Sequence, residues 1–290
     1  MRKAANPRSG TSSIALEGLA GAHACLIDAH CHLDDPRLEG QWPVLWQRAR
    51  RAGIVGCILA GTHEASWQRS SALARSTEGL WPTYGVHPWW AECAEAETIW
   101  LDVLRQSLTE SAWVRPIGIG EIGLDYARAR TEAARAQQRA VFRAQLALAR
   151  EAGLPVVLHV VRAHAALLHI LDADGIATCG GMVHGFTGDR EQARDYVSRG
   201  LVLSFGSAVT YPGRRKLVEA VGSVPRHAFV IESDAPHQPP SGRQGLNEPA
   251  WLWEIVRAVA ATRDVPPQVV AEESVATTVR LFGLPAWSPT

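Results

Sequence analysis

Eight short apolar runs of strand length recur along this chain, each followed by a longer segment with helical spacing. No other feature narrows the fold as much. The runs cover 26–32, 54–60, 81–87, 116–123, 155–160, 181–185, 201–206 and 228–234. Helices are predicted at 38–51, 64–77, 95–109, 131–151, 163–172, 189–199 and 213–221, with closing helices at 248–263 and 266–281. In 131–151, Ala134, Val141, Leu146 and Leu148 recur among Arg and Gln, and Gly153 and Pro155 mark the stop. Such alternation implies parallel strands joined by right-handed crossovers. Eight units fit a closed TIM-type (β/α)8 barrel of the α/β class better than an open doubly wound sheet. A chain of 290 residues with 47% hydrophobic content can bury that core as one domain. One barrel domain is therefore expected over 25–290, after a flexible tail at 1–24.

The formal net charge is zero, which removes any global attraction to nucleic acid or an anionic membrane, so a polyanionic substrate would need local contacts. The cysteines (Cys25, Cys31, Cys57, Cys93 and Cys179) are odd in number and contain no CxxC pair, as in a reduced, cytoplasmic protein. No apolar run approaches a membrane span. Arg2 and Lys3 precede a mildly apolar stretch, but Glu17 interrupts it, against a secretory signal. No GxGxxG or P-loop pattern calls for an organic cofactor.

In barrels of this type chemistry collects at the C-terminal ends of the strands. The first such end reads Asp28-Ala29-His30-Cys31-His32, and period-two alternation turns His30 and His32 to one face. Later strand ends supply Glu121, His159, His184 and Asp234. Each has an ordinary structural reading: a hydrogen-bonded histidine, a salt-bridging glutamate, a turn aspartate. Six of them at five strand ends are harder to explain so, because adjacent buried imidazoles and carboxylates are costly without a cation. Four histidines and two carboxylates exceed the three protein ligands of a mononuclear catalytic zinc and suit two metals. Glu121 is the natural bridge between them. A carboxylated lysine cannot bridge, since Lys3 and Lys216 are the only lysines and neither lies on a strand.

The motifs DAHCHL (28–33), GEIGLDY (120–126), LPVVLH (154–159), VHGFTG (183–188) and ESDAP (232–236) occur in this order. With YGVHPW (84–89), TYPG (210–213) and NEP (247–249), the chain from about 26 to 283 resembles the TatD family of metal-dependent hydrolases, closest to a subgroup described as deoxyribonucleases. The resemblance implies a somewhat distorted barrel with two divalent ions, Zn, Mg or Mn. One ion would take His30, His32 and Asp234, the other His159 and His184, with Glu121 bridging. It further implies cleavage of DNA or another phosphoester, in some members as a 3′→5′ exonuclease. One departure stands out. The family usually follows its strand-five histidine with Ser-Arg, whereas His159 is followed by Val160 and Val161, and Arg162 comes one position later. Near the C-terminus, Thr277-Thr278-Val279-Arg280 replace a segment that usually carries an asparagine, a change expected to be structural.

The expected reaction is hydrolysis of a phosphodiester by a metal-activated water, with Asp234 as general base and Glu121 holding the centre together. His87, Trp89 and Arg243 are candidate substrate contacts, the indoles of Trp89 and Trp90 being able to stack on a base. Asp28 is expected beneath the site, as a partner for an imidazole or as a strand-end cap. His63, His164, His169 and His237 are expected to be surface or helix residues. The competing readings are an amidase, lactonase or deaminase using the same water, and a metal-binding scaffold without turnover.

Overall fold

The computed structural model describes residues 25–93, 99–176 and 178–284. The tail expected at 1–24 and the first turn of the helix expected at 95–109 lie outside these residues. Among the described residues eight parallel strands alternate with helices: β1 (Leu26–Cys31), β2 (Ile54–Ala60), β3 (Leu80–Thr83), β4 (Ile119–Asp125), β5 (Val156–Val161), β6 (Gly181–Val183), β7 (Leu201–Phe205) and β8 (Phe229–Ile231). The helices are α1 (Trp42–Arg51), α2 (Glu64–Ser76), α3 (Ile99–Ser107), α4 (Glu132–Ala152), α5 (His164–Asp174), α6 (Arg190–Ser198), α7 (Arg215–Ser223), α8 (Leu252–Arg263) and α9 (Pro267–Phe282). The punctuation read in the sequence acts where expected. Thr131 caps α4 by accepting from the Ala134 N–H at 3.1 Å, and Gly153, at φ 63°, ends it in the left-handed region.

The strands form two sheets, β1-β2-β3 and β4-β5-β6-β7-β8, with all neighbours parallel. Individual backbone hydrogen bonds cross both gaps and close the ring. At the first gap Ile117 N–H donates to Pro82 O and Gly120 N–H to Tyr84 O, each at 2.9 Å. At the second, Asp234 N–H donates to His30 O at 3.0 Å and His32 N–H to Ala235 O at 2.6 Å. The result is the expected (β/α)8 barrel, distorted in that its two seams are thin.

Two apolar layers follow from strand alternation. The outer layer packs strands against helices and includes Leu26, Cys31, Cys57, Leu59, Phe142, Leu167 and Tyr196. The inner layer joins Ile27, Ala29, Val55, Ile58, Val157, Met182, Val202 and Val230 to Val275, Leu281 and Phe282 of α9, which closes that end. Period-two alternation fails on β2, where Val55 is inner and Cys57 outer, on β4, where Ile119 and Ile122 are both outer, and on β1. The register of β1 against β2 shifts between Asp28 and Cys31, so Ala29 belongs to the inner layer and Cys31, two positions on, to the outer. Asp28 consequently does not share a face with His30. Its carboxylate accepts from His30 N–H (3.3 Å), Ser233 N–H (2.8 Å) and Ser233 Oγ–H (2.5 Å), tying β1 to the chain beyond β8. Asp28 thus holds backbone N–H groups from within β1 and not at its end, and no hydrogen bond to an imidazole is found for it among the described residues.

Several strands end earlier than their apolar runs. β3 stops at Thr83, β6 at Val183 and β8 at Ile231, leaving His87, His184 and Asp234 in the segments beyond. Past Thr83, a lone bridge from Tyr84 to Ile119 carries the pairing on, and His87 N–H instead donates to Thr62 O at 2.9 Å. At the barrel mouth the strands splay, and apolar burial continues after ladder pairing has ended.

Candidate metal centre

Glu121 occupies the middle of the barrel mouth because β4 can approach β5 unusually closely. A Cβ at Gly120 would lie 2.5 Å from Val157 Cβ, and one at Gly123 only 2.0 Å from His159 O. Gly123 also has φ 143°, so the glycines of GEIG are required by backbone contact as well as conformation. The two carboxylate oxygens of Glu121 then face different groups. Oε2 lies 3.5 Å from His30 Nε2 and 3.7 Å from His32 Nε2. Oε1 lies 2.8 Å from both His159 Nδ1 and His184 Nε2, and 3.2 Å from His87 Nε2. Asp234 approaches the first group, with Oδ1 3.4 Å from His32 Nε2 and 3.9 Å from His30 Nε2. It sits just past β8 at φ 57°, a left-handed conformation that is uncommon for a non-glycine residue and often marks a functional site.

The six residues selected from the strand ends are therefore brought together. Their outer partners orient them. His32 Nδ1–H donates to Ala60 O at 2.9 Å, which leaves Nε2 to face the carboxylates. His184 Nδ1 faces Glu232 Oε1 at 3.5 Å, and that same oxygen accepts from Gly185 N–H at 2.6 Å. His159 Nε2 faces Asp125 Oδ2 at 3.6 Å. Asp234 Oδ2 accepts from Gln238 Nε2–H at 3.0 Å. His30 stacks on His184 with ring centroids 4.1 Å apart, and neither of its buried ring nitrogens has a hydrogen-bond partner.

Electrostatics distinguish the members. Burial alone pushes the Glu121 carboxyl up, but the imidazoles of His184 and His87 and hydrogen bonds from His159 and His184 outweigh it and hold it well below its usual range. Asp234 is held down likewise, burial being overcome by His237, His32 and His184. His32 is raised to about 9, since its hydrogen bond to Asp234 and the charge of Glu121 exceed the opposing effect of burial. His184 is raised well above its usual value against burial by Glu121 and Glu232. Burial wins at His87, which is pushed down to about 4 and is neutral near pH 7. Because Trp89 N–H donates to His87 Nδ1 at 3.1 Å, the proton of the neutral ring sits on Nε2 and points at Glu121.

This donor set fits divalent cations. Several triads have all their ligand atoms within 4.8 Å of one another, among them His30–His32–Glu121, His30–His184–Asp234 and His87–Glu121–His159. Two buried anions surrounded by imidazoles attract positive charge, and the neutral His30 ring, unpartnered at both nitrogens, offers a lone pair that no protein donor satisfies.

Around the rim, Trp89 is half-exposed; its indole N–H donates to Asp125 Oδ2 at 2.7 Å. Trp90 stacks on His63 with centroids 4.3 Å apart. Arg243 pairs with Glu254 and lies 5.0 Å from the Trp251 ring. His237, expected to be a surface residue, is instead folded back beside the site. Its N–H donates to Asp234 O at 2.8 Å, which sets its Nδ1 3.8 Å from Asp234 Oδ1 and makes it a further potential ligand beside His32. Glu232, Asp125 and Gln238 were not anticipated. Glu232 and Asp125 lie inside the motifs ESDAP and GEIGLDY, so the signal was present, but their partners come from other strands.

A shallow cleft beside the centre is lined by Gly185, Gly206, Ser207, Glu232, Asp234 and Gln238. No helix of the described residues is long and apolar enough to cross a membrane.

Comparison with known proteins gives the chain a family. The family described as TatD related DNase matches residues 27–283. The metal-dependent hydrolase YjjV of Escherichia coli K12 is 33% identical over 261 residues, spanning 89% of this chain and 98% of the relative. The 3′-5′ ssDNA/RNA exonuclease TatD of Erwinia billingiae is 36% identical over 250 residues, spanning 83% of this chain and 92% of that protein. The crystal structure of the TatD homologue YjjV from Escherichia coli superposes with a TM-score of 0.83 at 30% identity, covering 91% of this chain and 100% of that one. The chain belongs to the TatD family of metal-dependent hydrolases.

Proposed function

We propose that this protein is a two-metal phosphodiesterase that cleaves nucleic acid strands from an end. The observation that carries the proposal is the division of Glu121: Oε2 faces His30 and His32, and Oε1 faces His159 and His184. Were two cations bound, His30, His32 and Asp234 would hold one and His159 and His184 the other, with Glu121 shared between them. When bound, a divalent pair supplies Lewis acidity toward a phosphoryl oxygen and acidifies a water. The chain's own residues do the rest. Asp234 keeps lone pairs on both oxygens beyond those used by its neighbours and acts as general base toward the attacking water. Gln238 fixes the direction of that carboxylate. His87, neutral and protonated on Nε2, orients Glu121 in this arrangement, and turning toward substrate would let the same N–H meet a phosphate oxygen. The exonuclease name of the Erwinia billingiae relative supports a nucleic acid strand as substrate.

The test is hydrolysis of end-labelled single- and double-stranded DNA and of RNA with Mg²⁺, Mn²⁺ or Zn²⁺, alongside metal analysis of the purified chain. Stepwise shortening that disappears in Glu121→Ala and Asp234→Ala, with close to two ions per chain, is expected. Unchanged cleavage in those variants would trace the activity to a contaminant. Hydrolysis of p-nitrophenyl esters or amides with nucleic acid untouched would replace this reading with a small-molecule hydrolase. No turnover on either class would leave a scaffold.

A further inference from the structure

Most arginines near the mouth are already engaged. Arg243 is held by Glu254 and Arg37 by Asp35. The position two residues after His159 is Val161, so β5 places no cation there. Arg128 is different. It is exposed, its guanidinium lies 4.0 Å from the centroid of the Trp89 ring, and it makes no ion pair among the described residues. One carboxylate anchors the whole assembly. Asp125 Oδ1 accepts from the backbone N–H of Ala127 (2.9 Å) and Arg128 (3.1 Å), while Oδ2 accepts from the Trp89 indole and lies 3.6 Å from His159 Nε2. The Trp89 ring meets His87 at 4.8 Å and His159 at 6.3 Å, both steeply tilted to it. One indole and one carboxylate thus separate Arg128 from the centre.

This geometry limits what Trp89 itself can do. Its N–H is committed to Asp125, and the guanidinium covers a ring face on which a nucleobase would stack. What remains presented to substrate is the flat guanidinium with its fork of N–H donors, a shape that matches phosphate oxygens in pairs.

We propose that Arg128, seated on Trp89, binds the phosphodiester adjacent to the scissile one in a nucleic acid strand, with Trp89 as a positioning residue. The proposal rests on the nuclease reading above for its substrate class. A substrate with a single phosphate offers nothing for Arg128 to hold, whereas a strand does.

Binding of a short fluorescein-labelled single strand, followed by anisotropy in EDTA, tests the contact apart from turnover. Arg128→Ala should raise Kd roughly tenfold, as expected for losing a charge-assisted pair. Arg128→Lys, which keeps the charge but loses the fork, should fall between. Arg162→Ala removes an equal charge from the end of β5 and should change Kd by less than about twofold. Trp89→Phe keeps a face under the guanidinium and should weaken binding less than Trp89→Ala. With Mg²⁺, the loss in kcat/KM for Arg128→Ala should be larger on the strand than on bis(p-nitrophenyl) phosphate and should lie in KM. Wild-type Kd in Arg128→Ala, equal losses on both substrates, or no binding of the strand by the wild type would each overturn the proposal. Strand binding that depends on Arg128 with no cleavage of any nucleic acid would instead sink the nuclease reading and leave this contact standing.

Discussion

At the end of the barrel closed by α9, Ile27, Ile58, Val157 and Val230 are buried apolar side chains; toward the other end, His30 on β1, Glu121 on β4 and His159 on β5 are buried almost as deeply and are polar. Exposure is 0% for Val157 and 2% for Glu121, so depth does not distinguish the two ends. The difference lies in what burial does to each. Removing an apolar side chain from water stabilises the fold, by about 1.5–3 kcal/mol for a side chain of this size. Burying a carboxylate or an imidazole costs free energy unless charge and hydrogen bonds compensate. The apolar end therefore carries stability, and the polar end is kept in place by it, poised to gain from a cation.

Breaking either end alone should separate these roles. The largest effect is expected from Glu121→Ala, which should lower hydrolysis by more than the ~100-fold typical of losing an outer partner of a metal ligand. Circular dichroism should show a folded chain, and a collapse of the fold with the activity would erase the contrast. Ile58→Ala should do the reverse, costing about 2–5 kcal/mol in a denaturant titration. Its rate per folded molecule should stay within about twofold of wild type, since Ile58 belongs to the inner apolar layer. A divalent ion at a hundred times its dissociation constant should stabilise the chain by ~2.7 kcal/mol, read as a rise in Tm that EDTA reverses. A Tm insensitive to both would show that the polar end gains nothing from cations.

A finer cut comes from Glu232→Gln, which leaves every proposed ligand in place but weakens the carboxylate facing His184. Metal affinity by competition with a chromogenic chelator should fall ~10–100-fold. The smallest effect concerns reactivity. Burial pushes the thiols of Cys31 and Cys57 up, and both are fully enclosed, whereas Cys179 is exposed. Among these three, a thiol reagent should label Cys179 first and reach Cys31 and Cys57 only on unfolding. Rapid labelling of Cys31 would mean that the wall behind His30 opens.

Much of this was legible in one dimension because each motif fuses a structural requirement with a chemical one. The glycines of GEIG permit close approach to β5, and Glu121 sits among them; His30 and His32 share a face because they lie two positions apart on an extended chain. Strict alternation fails where the registers shift, on β1 between Ala29 and Cys31, on β2 between Val55 and Cys57 and on β4 between Ile119 and Ile122. Apolar periodicity also places His87, His184 and Asp234 on strands, when each lies just beyond one. Periodicity reports burial, and burial outlasts pairing at the mouth of a splayed barrel. His237 lacks ligand context in the sequence; that context arises only when the left-handed turn at Asp234 folds the chain back.

By itself the sequence determined the strand and helix rhythm, the parallel barrel and the six polar residues at its strand ends, because these depend on local spacing and on the cost of burying unpaired polar groups. The tertiary structure alone decided how those residues are divided. It turned the two oxygens of Glu121 toward different imidazoles, set Glu232 behind His184 and Asp125 behind His159, and laid Arg128 on Trp89. Such pairings join residues from different strands, and only closure of the barrel fixes which side chain meets which.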